Sequence, residues 1–184
     1  MTIRSRDDKH SHFPDFYLSG TVLDVCTDIT YLGHIIANDL SDDKDIYRQR
    51  RKLYVQANML CRKFSMCSVP VKISLFRTYC TPLYTAYLWC RYKQDSIRKL
   101  TVAYNDSMRL LLRVPRDSSA SHMFVSAGVP TCAAVLRNLM FRFMGRVSES
   151  KNDLIAVLAN PRRSSVRFSS RLWNHWCTCL YVRH

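Results

Sequence analysis

Apolar residues recur along this chain with two different periods, and the change falls near residue 40. From residue 16 to residue 36 the run "FYLSGTVLDVCTDITYLGHII" is rich in valine, isoleucine, threonine and tyrosine, side chains that fit a pleated surface. It contains two strand-like stretches, 21–25 and 30–36, with Ser19-Gly20 marking the entry and "CTD" separating them. The pattern predicts a small antiparallel β element. Two strands are marginal by themselves, so a helix or further sheet is expected beside them.

Beyond residue 40 the period becomes helical. Ile46, Leu53, Ala57, Leu60 and Phe64 fall within about 60° of one another at roughly 100° per residue. Arg48, Arg51, Lys52, Arg62 and Lys63 fall on the other side, and Arg50 sits at the edge of the apolar face, where its stem can lie along the surface. The expected element is an amphipathic helix over 40–64 with one apolar face and one cationic face. Ser41 is placed to cap it, and Asp42, Asp43 and Asp45 fall in its first turn, where carboxylates meet the positive end of the helix dipole.

Further helices follow. "PVKISLFRTYC" begins at Pro70, with Val71, Leu75, Phe76 and Tyr79 as core candidates. Pro82 either kinks it or opens a second helix, "PLYTAYLWC", capped by Thr81. Tyr84, Tyr87 and Trp89 could stack on bases, but aromatics this close together more often bury area in a core. Residues 96–113 carry Ile97, Leu100, Tyr104, Met108 and Leu111 inward. "SSASHMFVSAG" makes a short helix closed by Gly128. "PTCAAVLRNLMFRFMGRV" repeats the amphipathic theme, with Val135, Leu139, Met140 and Phe143 against Arg137, Arg142 and Arg146. A short helix is expected over 152–159, ended by Asn160-Pro161, before a basic, aromatic tail.

The expected fold class is mainly α: a helical bundle preceded by a small antiparallel β element. Its divisions are an unstructured start (1–15), the β element (16–40), the helical domain (41–160) and the tail (161–184). With 184 residues and 47% apolar content, the chain can bury a substantial core. Only four glycines argue against a turn-dense all-β fold and against glycine-rich phosphate loops. No apolar run approaches the roughly 20 residues that span a bilayer, and "MTIRSRDDKHSHF" lacks the apolar centre of a signal peptide. The expectation is a soluble intracellular protein, nucleus or cytoplasm unresolved, with no membrane partner. The eight cysteines are scattered, which fits reduced thiols rather than a disulfide framework. "HWCTC" offers His175, Cys177 and Cys179 without a second pair at zinc-ligand spacing.

Charge changes the picture most. Residues 46–116 carry 15 lysines and arginines against two aspartates, whereas residues 1–45 carry four against nine. A net charge of +14 concentrated in this way points to a polyanionic partner, with nucleic acid first among them. The adjacent Asp42 and Asp43 raise the question of a polymerase metal pair. Such a pair needs rigid strands and a third carboxylate, whereas these two open a helix, so helix initiation is the expected role and no metal ligand is expected. No Gly-x-Ser-x-Gly, Walker or His-Glu-x-x-His motif occurs. No catalytic residue, cofactor or small-molecule substrate is expected.

Four segments in this order, "YLGHII", "DLSDDKDIYRQRRKLYVQANMLCRKF", "VKISLFRTYCTPLYTAYLW" and "YNDSMRLLLRVPRDSSASHMF", resemble the C-terminal part of reverse transcriptases of non-LTR (LINE-type) retrotransposons. The similarity covers about residues 16–160. It implies the end of the palm followed by the thumb; the family's catalytic F/Y-A-D-D hairpin and earlier palm aspartate have no counterpart here. By resemblance the chain is a fragment without polymerase activity of its own. Its cationic face, Arg48, Arg51, Lys52, Arg62 and Lys63, would follow the phosphates of an RNA–DNA hybrid or duplex. The alternatives are a helical protein-interaction module with a protein partner, or a translated relic without function.

Overall fold

In a computed structural model that describes residues 15–155 and Asn174, two antiparallel hairpins precede a mainly helical body. The expected unstructured start (1–14), the end of the helix predicted over 152–159, the tail from 161 onward other than Asn174, and the "HWCTC" segment lie outside the described residues.

The β element differs from the expectation in its pairing. Strands β1 (Tyr17–Leu18) and β2 (Thr21–Val22) form one hairpin, and β3 (Asp28–Tyr31) pairs with β4 (His34–Ala37) in a second. The stretch 30–36 is therefore two strands rather than one. It folds at Leu32-Gly33, where φ is +46° and +76°, the two consecutive positive values of a primed two-residue turn. Ser19-Gly20 does the same in the first hairpin, at +52° and +81°.

Gly33 is needed twice. A Cβ there would take up a left-handed backbone and would also sit 3.1 Å from the Tyr84 ring. The Tyr84 side chain is exposed and can give way, so the backbone term dominates. Gly33→Ala is expected to cost about 1–2 kcal/mol, read as a lowered urea midpoint with an unchanged slope.

The helices are α1 (Asp43–Lys63), α2 (Val69–Tyr79), α3 (Gln94–Leu112), α4 (Ala120–Ser126) and α5 (Cys132–Ser148). The central pair is α1 against α3. The apolar stripe of α1 (Ile46, Leu53, Leu60) and that of α3 (Leu100, Ala103, Tyr104, Met108, Leu111) are both buried in one cluster, and Ala57 of α1 is buried too. Burial of each large side chain there contributes about 1.5–3 kcal/mol. Tyr104 sits between two aromatics, edge-on to Phe76 at 5.1 Å and stacked on Phe124 at 5.4 Å. Its hydroxyl donates to the Pro130 carbonyl at 3.0 Å, so this polar atom of the core is satisfied.

Helix ends follow local chemistry. Ser119 and Thr131 accept from the backbone N–H of His122 and Ala134 at the starts of α4 and α5. Gly128, at φ +59°, closes α4 as expected. Two expectations fail in the middle of the chain. On α2 the buried residues are Lys72 and Phe76, while Val71 and Tyr79 face outward. Residues 82–90 are not a helix but a loop with a 3-10 turn at Ala86–Leu88. Thr85 takes a left-handed conformation, φ +68°, which stops helix growth, and its hydroxyl donates to Asp45. Trp89 is fully buried and Tyr87, half-buried, stacks on Phe143 at 4.4 Å, so both aromatics pack against the protein.

A candidate nucleic-acid interface beside a buried aspartate

Asp45 is fully buried at the start of α1 and organises the elements around it. One carboxylate oxygen accepts from Arg48 Nη2 at 2.6 Å, Arg48 Nε at 3.0 Å and the Ile35 N–H at 3.2 Å. The other accepts from Trp89 Nε1 at 2.8 Å and the Thr85 hydroxyl at 3.0 Å, with His34 Nδ1 in ionic contact at 3.1 Å. Burial pushes the carboxyl pKa up and is the largest single influence. The donors from His34, Trp89, Arg48 and Ile35 together outweigh it and hold the group well below the usual carboxylate range.

The neighbouring acids hold the loop that leads into α3. Asp42 accepts from the backbone N–H groups of Cys90 and Arg91 at 2.9 and 2.8 Å. Asp43 accepts from the Lys93 N–H at 3.0 Å and from the Ser41 hydroxyl at 2.9 Å. The expected capping arrangement is thereby corrected. Asp42, not Ser41, occupies the cap position, and it makes no side-chain cap bond. Its carboxylate is turned instead toward a loop nearly fifty residues away in sequence, whose N–H groups need acceptors. Among the described residues no group of three His, Cys, Asp or Glu side chains is arranged to hold a metal ion.

His34 lies between Asp42 and Asp45, 3.7 and 3.1 Å from their carboxylates. The carboxylates of Asp42 first, then of Asp45, raise its pKa to about 9 against the opposing effect of burial. The unfolded value is near 6.5. The stabilisation from this proton is complete below pH 6.5 and is lost as pH rises through about 9. Asp45 acts at the other end: its contribution is present above the unfolded carboxylate value near 3.9 and is lost as pH falls toward its lower folded value. Unfolding free energy is therefore expected to fall by about 2 kcal/mol between pH 6.5 and 9.5. In His34→Gln, chemical denaturation across that range should show most of the decline removed. An equal decline in both proteins would refute the assignment.

The outer face of α1 is different in kind. Arg51, Lys52, Arg62 and Lys63 are exposed, and no ion pair reaches any of them among the described residues. An open groove of about 700 Å³ runs between the β3–β4 hairpin and α1, lined by Ile35, Asp43, Lys44, Tyr47, Arg48, Arg51, Lys52 and Val55. A second concavity of about 690 Å³ continues along the helix past Val55, Asn58, Met59, Arg62 and Lys63. Tyr47 carries Arg50 and Arg51 over its ring, at 4.9 and 5.9 Å from the centroid, which steadies the Arg51 guanidinium at the groove.

Four of the five cations predicted from the sequence thus share an exposed surface with no ion pair among the described residues. Arg48 does not belong with them: it is half-buried, pairs with Asp45 and donates to the Gly33 carbonyl. Lys44 and Tyr47 line the groove and were not anticipated. Lys44 pairs with Asp28 at 2.6 Å and ties the hairpin to the helix. Cysteine chemistry is muted here. The six described cysteines are free, and burial pushes the Cys80 and Cys132 thiols up to about 12 and about 11, which leaves them inert near neutrality. No helix among the described residues is long and apolar enough to cross a membrane. No family model, curated protein or solved structure matches the chain.

Proposed function

We propose that this chain is a nucleic-acid-binding, thumb-like part of a LINE-type reverse transcriptase that grips an RNA–DNA hybrid or duplex through backbone phosphates, without polymerase activity of its own. The observation that carries the reading is the α1 ridge: Arg51, Lys52, Arg62 and Lys63 are exposed, lack acidic partners among the described residues, and border two adjoining concavities. Unpaired cations on one rigid helix suit a regularly charged polyanion. Phosphate contacts of this kind supply affinity with little sequence preference.

The hub built on Asp45 supports the ridge mechanically. It fixes the first turns of α1 to the β3–β4 hairpin and to the loop before α3, so the cations project from a held scaffold rather than from a loose helix. The resemblance in sequence and the charge distribution agree in direction.

An electrophoretic shift or anisotropy titration with an RNA–DNA hybrid at several salt concentrations tests the reading. Each phosphate contact contributes roughly 0.9 to the slope of log K against log salt, so four ridge contacts predict a slope of at least about −3 in sign and size. Absent binding, or binding indifferent to salt, would reject the reading and favour a protein-interaction role for the helical body.

A further inference from the structure

We infer that the C-terminal end of α3 carries a second phosphate-binding pocket, built from Arg109, Arg113 and Arg116 with Tyr54 of α1, which takes a backbone phosphodiester of the same nucleic acid. The inference rests on the nucleic-acid reading above and extends it to residues outside the α1 ridge.

A concavity of about 360 Å³ lies there, lined by Tyr54, Asp106, Arg109, Leu110, Arg113, Val114 and Arg116. Three guanidinium groups face one carboxylate. Asp106 is engaged with Arg109 at 3.2 Å, and no ion pair reaches Arg113 or Arg116 among the described residues. Like charges gathered in this way repel one another, and the surplus is relieved by an anion between them.

The pocket is also well held. Arg109 Nη2 donates to the Ser118 carbonyl at 3.0 Å, which fixes the loop after α3, and its Nε–H is buried with no acceptor among the described residues. Arg113 ends α3 in a left-handed conformation, φ +57°, with the Val114 N–H returning to the Arg109 carbonyl at 3.0 Å. Pro115 follows with its φ restricted by the ring, and the Ser118 N–H closes on the Pro115 carbonyl at 3.3 Å. Arg113 and Arg116 therefore stand on an ordered turn. Planar guanidinium forks on such a frame suit the paired oxygens of a phosphodiester. Tyr54 adds a hydroxyl and a ring face.

Position relates the pocket to the ridge. Around α1, Tyr54 lies about 60° from Arg51 and about 80° from Arg62, on the opposite shoulder of the exposed face. A helix with its side chains is about 10–12 Å across, a span that one nucleic-acid ligand can cover while touching both shoulders.

The test is Arg113→Gln/Arg116→Gln in the full chain, with RNA–DNA hybrid as the probe. Both positions are exposed, and thermal unfolding is expected to be unchanged. Affinity should fall by about tenfold near physiological salt, and the slope of log K against log salt should become shallower by roughly 2. If the parent binds hybrid with a steep salt dependence and the variant matches it in affinity and slope, the pocket is refuted and the ridge reading stands. If the parent binds no hybrid, both fall together. A free nucleotide would present the same phosphate chemistry, so excess ATP is added as a competitor. Displacement of hybrid by ATP from the parent and not from the variant would assign the pocket to free nucleotides and overturn the duplex assignment.

Discussion

Asp45→Asn is expected to lower the unfolding free energy by about 3–5 kcal/mol. Shape is preserved, but the charge that balances Arg48 and protonated His34 disappears. An amide also has one acceptor oxygen where the carboxylate has two. Its NH2 group must face the side of Trp89 Nε1 and Thr85 Oγ1, or the side of Arg48 and Ile35. Either choice sets donor against donor in a site without water access, and an unpaired buried polar group costs about 1–3 kcal/mol by itself. Against a total stability of about 5–15 kcal/mol, the variant should unfold at a urea midpoint lower by roughly 2 M. A loss under about 1 kcal/mol would mean that the hub contributes little and that the start of α1 is held by apolar packing alone.

The second large effect concerns binding and should leave folding intact. Neutralising Arg51, Lys52, Arg62 and Lys63 together to glutamine is expected to reduce affinity for an RNA–DNA hybrid by at least about 100-fold near physiological salt. The four are exposed, and glutamine is about as good a helix former as lysine or arginine, so urea denaturation should differ by less than about 1 kcal/mol. Arg48→Gln should behave in the opposite way. Its guanidinium is bound to Asp45 and to the Gly33 carbonyl, so it should destabilise the fold clearly while the folded protein keeps its salt-dependent binding.

That contrast shows where the sequence was legible. Both Arg48 and Arg51 lie off the apolar stripe of α1, and a helical wheel assigns them alike to the cationic face. What separates them is a partner: Asp45 stands three residues before Arg48. Asp45 itself shares a face with Gln49 and Leu53 at i, i+4, i+8 spacing, and all three are buried. Two polar residues in line with a core leucine require internal partners, and that spacing was the available signal. Three of these partners, Thr85 and Trp89 for Asp45 and the Tyr84 carbonyl for Gln49, lie 35 or more residues away in sequence, beyond the reach of any periodicity.

The amphipathic helices were legible for the same reason in reverse. The inward positions Leu100, Tyr104, Met108 and Leu111 of α3 are set by a local repeat and are buried as expected. The loop after Pro82 was not, because its left-handed Thr85 is held by bonds to and around α1, Gln49 donating to the Tyr84 carbonyl and Thr85 donating to Asp45. Tertiary partners there override the helical propensity of "LYTAYLW". In the β region composition predicts strands, but the position of the turn is not visible in it. Leu32-Gly33 falls inside one expected strand, whereas two positive φ values make it a hairpin turn.

The account depends on the α1 cations meeting phosphate, and one comparison tests this most directly. The slope of log K against log salt for an RNA–DNA hybrid is measured for the parent and for the variant neutralised at Arg51, Lys52, Arg62 and Lys63. The account predicts that the variant's slope is shallower by roughly 3–4. Equal slopes in two equally stable proteins would contradict it.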